Sequence, residues 1–512
     1  MVKNIVKLIV PNQRYHFSGT LDTLKIVKLL CGIFVLVTSM TQVLLAKTPV
    51  TKGETDPVML DLDPYMIEAL RSNNLQGRFE KKGSIVQLME EVGFKKLIKK
   101  HKLEIFNGPM IGVLRPSSVK VWLRSAGPAT FYVRVGDKKS HPIKTSVESD
   151  FTGIATIEGL KPFTNYAYSI VLNGKEITKD YYKFKTAPLA GKATSFSVTF
   201  GSGSRYQPTN EGIWRVMAKT RPLAYLGLGD NLYIDQPKHP NVQRLHYYRR
   251  MLRQEFRELL ASSAQYAIWD DHDMYANDSS GGYGLDTKPY KMPVLRVFEQ
   301  NWNNPFYGLP PKAPGTFFNF KLGDVEFFMT DGRFYRAKAN SKNKESKPST
   351  MLGQTQKQWL LNALKNSTAV FKVLASGTMW HAAADKGGGD SWAGPRSPFQ
   401  KERDEIFDWI NNEKINGVIL ISGDRHRTDI WKTERKKAYP LYEFLSAKTT
   451  NLHVHKTRKE ALWSYAKPGS CFWGQLDFDT APKDPTVTFK AVDQNGKVLK
   501  SFPLKLSEVS HK

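Results

Sequence analysis

The chain has 512 residues, 75 Lys and Arg against 48 Asp and Glu for a formal net charge of +27, and 12% aromatic residues. That length excludes a small stapled scaffold and predicts two to four domains, since single cores stop growing near roughly 250–300 residues. The aromatic content excludes general disorder, and the two cysteines, Cys31 in an apolar N-terminal run and Cys471 near the C-terminus, do not read as a disulfide framework. The basic residues are spread along the chain, which reads as surface basicity: no specific nucleic-acid partner is expected, and an anionic membrane surface is a contact the charge favours.

In chain order, residues 1–46 read as a signal peptide or a membrane anchor. The apolar run 29–46 follows Lys25 and Lys28 and precedes Lys47 and Pro49, and it is short for a hydrocarbon core of roughly 30 Å. Ala46 supplies a small residue for cleavage, whereas Leu44 does not, so both readings stand; either predicts export, to the periplasm or outside the cell. Cys31 opens the run instead of closing it, which argues against a lipoprotein. Residues 52–104 carry helical spacing at Met66, Leu70 and Leu75, then at Ile85, Leu88, Met89 and Val92, and no chemistry is assigned to them.

From 105 to 187 the pattern changes to short alternating strands, at 119–124, 130–135 and 166–171, the last before an Asn173-Gly174 turn. A small β-sandwich is expected, serving as spacer or lid. Its segment 160–166 resembles the start of a strand in fibronectin type III modules, where the tyrosine packs at a sandwich corner.

Residues 194–475 alternate apolar strands with helical stretches at 246–262, 355–366 and 401–412. The strands end abruptly, in Gly201-Ser202-Gly203-Ser204-Arg205, Gly229-Asp230-Asn231, Asp270-Asp271-His272-Asp273, Asp331-Gly332-Arg333, Ser376-Gly377 and Ser422-Gly423-Asp424-Arg425-His426. This predicts an α/β sheet with ligands beyond the carboxyl ends of its strands. Residues 476–506 read as a C-terminal β-strand extension.

A single strand-end aspartate is ordinarily a cap or a turn residue. Asp230, Asp271 and Asp424 together, with Tyr233 and His426, are a different matter. Carboxylates on one sheet edge repel each other unless protons or cations neutralise them, so a site for two or more metal ions is expected. Oxygen ligation favours hard cations, and one imidazole with one phenolate admits iron, manganese or zinc.

These blocks resemble the alkaline phosphatase D (PhoD-like) branch of the calcineurin-type metallophosphoesterases. Residues 228–233 match its GDNxY block, 268–273 its WDDHE block and 421–426 its SGDxH block. Between them, 330–336 is similar to DTRxYR, 352–360 to LGxxQxxWL and 390–392 to DSW, so the likeness runs in order from about 105 to 500. It implies an α/β core of the α+β sandwich type behind a fibronectin III/Ig-like domain, and a monomeric enzyme. It also implies hydrolysis of phosphate mono- or diesters by direct attack of a metal-bound hydroxide, with Ca2+ and/or Fe3+ as cofactors. On this resemblance Asp230 bridges two metals, Tyr233 binds the iron-like ion, and Asp271, Asp424 and His426 complete the set. His272 contacts phosphoryl oxygens or protonates the leaving group, or else only braces a neighbour by hydrogen bonding. Arg205, Arg333 and Arg425 are expected on one rim, where a guanidinium grips phosphate; Arg333 has the alternative of pairing with Asp331.

One departure bears on the metals. The resembled family carries a cysteine in its first block, where this chain has Gly203. Either Ser202, Ser204 or a water takes that place, or the metal changes, to Mn2+ or Zn2+, or activity is lost. His381 is a candidate further ligand, with a packing role as the alternative. The competing function from another class is an exported surface-binding protein with a vestigial metallophosphatase core.

Overall fold

The protein is described by a computed structural model covering residues 52–76, 85–235, 240–338, 349–385 and 389–512. The predicted signal or anchor segment 1–46 lies outside the described residues, as does the side chain of Leu75. No helix among the described residues is long and apolar enough to cross a membrane.

Two sheets share one core. The first has six strands in the order Ala264–Ile268, Ala224–Leu228, Ser195–Gly201, Phe472–Asp479, Thr486–Asp493, Val498–Lys505. Its first three strands run parallel and the rest antiparallel. The second has seven, with Val325–Met329, Phe371–Ser376, Val418–Ser422 and Leu441–Ser446 parallel at its centre. Every residue of Ala224–Leu228, Ala264–Ile268, Val325–Met329 and Val418–Ser422 is buried, which is why these strands read as continuous apolar runs without alternation.

Aromatic pairs join the sheets: Phe444 stacks on Phe489 at 4.5 Å, and Phe327 meets Phe478 edge-on at 6.0 Å. Alternate residues of Ala224–Leu228 serve different layers. Ala224, Leu226 and Leu228 enter the shared core, while Tyr225 meets Trp214 of the helix Gly212–Lys219 edge-on at 5.7 Å. Leu360 and Leu364 of the helix Gln354–Lys365 and Ile406 and Ile410 of the helix Gln400–Asn412 join the shared core beside the second sheet.

The predicted boundary at 475 falls inside the strand Phe472–Asp479, which pairs with Ser195–Gly201 across the middle of the first sheet. Residues 476–506 are therefore half of that sheet and not an extension. Pairing between strands some 280 residues apart leaves no local trace, so the sequence alone suggested an appendage.

Residues 105–185 form two antiparallel sheets and a two-stranded pair. Tyr166 accepts a hydrogen bond from the Lys161 N–H at 2.8 Å. The segment is docked on the two-sheet core: Tyr168 donates to the Ala261 carbonyl at 3.0 Å, and Tyr266 accepts from the Leu114 N–H at 2.9 Å. The helix Pro57–Gln76 packs Met59, Leu62 and Met66 against Leu245, Tyr248 and Leu252. Its buried Asp63 accepts from Arg249 at 2.5 and 2.9 Å, as expected of an apolar interface that must also neutralise its charges.

Candidate active site

Both sheets deliver acidic residues to one place, from the parallel neighbours Ala224–Leu228 and Ala264–Ile268 of the first sheet and from Val418–Ser422 of the second. The strand Ala224–Leu228 ends in Gly229, whose φ of +88° and whose missing Cβ, which would lie 2.4 Å from the Asp270 Cβ, admit no side chain. The two strand ends therefore touch, and Asp230 meets Asp270 and Asp271. Asp230 and Asp424 both hold left-handed backbone, φ +48° and +64°, a conformation that costs an L residue energy and recurs at functional sites.

Asp230 is 2% exposed. Its Oδ2 accepts from the Tyr233 hydroxyl at 2.8 Å, and that oxygen lies 3.0 Å from His426 Nε2. Asp271 accepts from the N–H groups of His272 at 3.0 Å and Asp278 at 2.7 Å. Asp424 accepts from Thr378 Oγ1 at 3.3 Å, and its N–H donates to Ser202 Oγ at 3.2 Å. Asp230, Asp271 and His272 offer ligand atoms within 4.8 Å of one another, as do Asp271, Asp278 and Asp390. The structure thus brings Asp230, Tyr233, Asp271, His272, Asp424 and His426 to one edge.

The electrostatics are those of a cation site. Burial, then the neighbouring Asp271, Asp270, Asp273 and Asp424, push Asp230 well above the ordinary carboxylate range. Burial does the same to Asp424, with Arg425 opposing it. Burial and Asp230 hold the Tyr233 phenol well above its ordinary value. Burial works most strongly against ionisation of Asp271, but the Arg333 guanidinium, His272 and the Asp278 N–H together outweigh it and keep that carboxyl low. Asp230 Oδ1, Asp270 Oδ2 and His426 Nδ1 are buried without a hydrogen-bond partner. Unpartnered oxygens and crowded carboxyls fit divalent or trivalent cations, which replace protons and satisfy lone pairs together.

His272 stacks on Tyr233 at 4.1 Å, and its Nδ1 lies 2.6 Å from Asp235 Oδ1. Burial lowers its pKa, but the Asp235 hydrogen bond and Asp271 outweigh this and raise it to about 9. Arg205 is exposed and lies 5.8 Å from the Tyr233 ring centroid. Arg425 pairs with Asp385 at 2.8 Å and lies 3.7 Å from Asp424.

Arg333 is not on that rim. It is 0% exposed, and its guanidinium binds Asp270, Asp390 at 2.8 and 3.1 Å and the Ser279 carbonyl at 3.2 Å. From Arg333, Asp331 accepts the backbone N–H, at 2.9 Å; it also accepts the Trp269 indole at 2.7 Å and the N–H groups of Thr316 and Phe334, each at 2.9 Å. Both sequence expectations for the Arg333 side chain are thus corrected: it neutralises the acid cluster from behind. His381 also stays apart, stacked on Trp431 at 4.5 Å, which is the packing alternative.

Other residues went unassigned. Asp273 accepts from the N–H groups of Asp270 at 3.0 Å, Asn231 at 3.2 Å and Leu232 at 3.0 Å, and so clamps the loop that carries Asp230 and Tyr233. Asp390, in the DSW block, is the Arg333 partner. His453 and His455 lie beside His426, all three offering a ring nitrogen within 4.8 Å of one another. The only signal for them was a His-Val-His spacing, which places two side chains on one face of an extended segment.

Gly203 has φ +65°, and a Cβ there would lie 2.8 Å from Lys448 N and 3.2 Å from His426 Cδ2. Position 203 therefore faces the His426 ring. Of the serines offered as substitutes, Ser202 spends its hydroxyl on the Asp424 N–H, and the buried Ser204 Oγ has no partner.

Comparison with known proteins bears on the family and the fold. The family model of the PhoD-like phosphatases matches residues 196–502, and that of a domain of unknown function, DUF7800, matches 102–188. Alkaline phosphatase D of Bacillus subtilis (strain 168) is 26% identical over 367 residues, 60% of this chain and 62% of that protein. The chain thus spans a little under two thirds of the length of that curated relative. Among solved structures, that of PhoD superimposes with a TM-score of 0.62 at 17% identity, covering 78% of this chain and 92% of the other. The purple acid phosphatase PPD1 from yellow lupin (Lupinus luteus) seeds superimposes at 0.54 and 12% identity, covering 78% and 74%. At these identities the two structures speak to a shared mixed α/β fold.

Proposed function

The chain belongs to the PhoD-like phosphatase family, and we propose that it hydrolyses phosphate esters, mono- or diesters, at the cluster of Asp230, Tyr233, Asp271, Asp424 and His426. The observation that carries this is the buried surplus of carboxylate at the ends of parallel strands, with Asp230 Oδ1 left unpartnered. Asp230, Tyr233 and His426 would hold one cation, and Asp230, Asp271 and Asp424 a second. Bound cations supply Lewis acidity, a more acidic water and positive charge against the phosphoryl oxygens.

The remaining roles belong to side chains of this chain. Asp235 fixes His272 through Nδ1, which leaves its other ring nitrogen to give a proton to the departing ester oxygen. Arg205, exposed beside Tyr233, grips phosphate at the open side. Arg333 and Asp273 touch no substrate; they hold Asp270, Asp271 and the Asp230 loop in place.

Metal content of the purified protein and hydrolysis of an aryl phosphate and its bis-aryl diester test the proposal. Bound metal with turnover is expected, and Asp230→Asn should lose turnover and the metal held by the carboxylate cluster while remaining folded. Absence of metal and turnover in the parent would sink the proposal and leave the surface-binding alternative ahead. We further read residues 29–46 as directing export, so that the mature chain begins near Lys47; recovery of full-length protein from the cytosol would refute it. The Tyr166–Lys161 hydrogen bond supports a fibronectin III-like module at 105–187, a reading that an experimental structure with unstacked sheets would remove.

A further inference from the structure

After the strand Leu441–Ser446 the chain passes directly over the Gly203 turn. The Thr449 N–H donates to the Ser202 carbonyl at 3.0 Å and the Asn451 N–H to the Gly203 carbonyl at 3.1 Å. Beyond this fastening the segment reaches His426: the His455 N–H donates to the His426 carbonyl at 3.1 Å, and the His426 N–H donates to His455 Nδ1 at 2.8 Å. Such an approach needs a bare backbone at 203, because any Cβ there would sit 2.8 Å from Lys448 N. The bare backbone at 203 and the two imidazoles beside His426 thus belong to one packed segment.

The three rings form a closed triangle, with centroids 5.3 Å apart for His426 and His453, 5.1 Å for His426 and His455, and 4.7 Å for His453 and His455. Nitrogens on one zinc ion lie roughly 3.3 Å apart, so modest ring rotations gather donors now within 4.8 Å. His426 is 7% exposed, and its Nδ1 has no hydrogen-bond partner among the described residues. His453 is exposed, which leaves a path to solvent. We propose that His426, His453 and His455 form a three-imidazole site for a borderline transition metal of the zinc class, a donor set that disfavours calcium and magnesium. The cation competes with the His426 N–H for the His455 Nδ1 lone pair, exchanging one neutral hydrogen bond for a metal bond. His426 would serve both sites as an imidazolate, Nε2 toward Tyr233 and its other ring nitrogen in the triangle, its ring proton passing to solvent; the site thus adjoins the carboxylate cluster and deepens the proposed phosphatase centre, on which reading it rests only for its use in catalysis.

Metal-stripped full-length protein titrated with Co2+, followed by its visible absorption and by bound equivalents, tests the proposal. The parent should show a nitrogen-ligated Co2+ band that Zn2+ displaces. His453→Ala/His455→Ala should lose that band and one equivalent, and His453→Gln, at an exposed position with little bearing on folding, should weaken the same band. Asp230→Asn should keep it while losing the carboxylate-held metal. A double variant with the parent's band and equivalents overturns the three-imidazole site and leaves the phosphatase reading intact. Unchanged equivalents in Asp230→Asn count against that reading alone.

Discussion

At position 203 backbone shape comes before chemistry. A φ of +65° is tolerated by glycine and strained for any other residue, and the Cβ of a replacement would press on Lys448, itself at φ +77°. Gly203→Ala and Gly203→Cys should both lose about 1–3 kcal/mol in chemical denaturation. A Gly203→Cys protein as stable as the parent and no richer in iron would mean that this turn does not face His426. Arg333 presents the opposite case, since its charge is enclosed by Asp270 and Asp390. Arg333→Ala leaves buried Asp270 without its cation and Asp390 with Arg336 alone, and should cost about 3–5 kcal/mol, read as a lowered denaturation midpoint. Parent stability combined with weakened phosphate affinity would return Arg333 to the substrate side.

Among elements, the strand Phe472–Asp479 ties the ends of the catalytic segment together. It pairs on one side with Ser195–Gly201, which leads into the Gly203 turn, and on the other with Thr486–Asp493. A chain stopped after residue 475 therefore loses two and a half strands of the first sheet and exposes Phe444, whose stacking partner Phe489 is gone. It should fail to melt cooperatively, as followed by near-ultraviolet circular dichroism; a soluble truncated chain with a sharp transition would restore the extension. The short helix Asp271–Met274 is set by its own ends: Asp270 and Asp273 close a reciprocal cap, which turns Asp271 toward Asp230.

In the whole molecule, the metal-free site should make stability depend on pH. Burial raises Asp270 and Asp273 to about 7, and Asp230 and Asp424 also lie well above the ordinary value of about 3.9. Such groups keep protons that the unfolded chain releases, so their contribution is present at low pH and lost as pH rises through about 7. Burial also holds His246 and His426 at about 3 and His455 at about 2; these act in the opposite sense, but an ordinary imidazole is half charged at about pH 6.5, so only the last part of their effect falls above that pH. Chelator-stripped protein should therefore melt lower at pH 8 than at pH 6.5, and added divalent cation should raise the melting temperature more at pH 8; a flat or inverse profile would contradict the cation site. The sequence by itself determined that apolar strands end in Asp230, Asp271 and Asp424 and that Tyr233 and His426 join them, because strand burial and strand-end chemistry are written in consecutive residues. Only the tertiary structure decided the partners of Arg333, the place of Phe472–Asp479 inside the sheet, and the meeting of His453 and His455 with His426. Those are contacts between residues 20 to 280 positions apart, set by how the two sheets pack, and no local pattern encodes them.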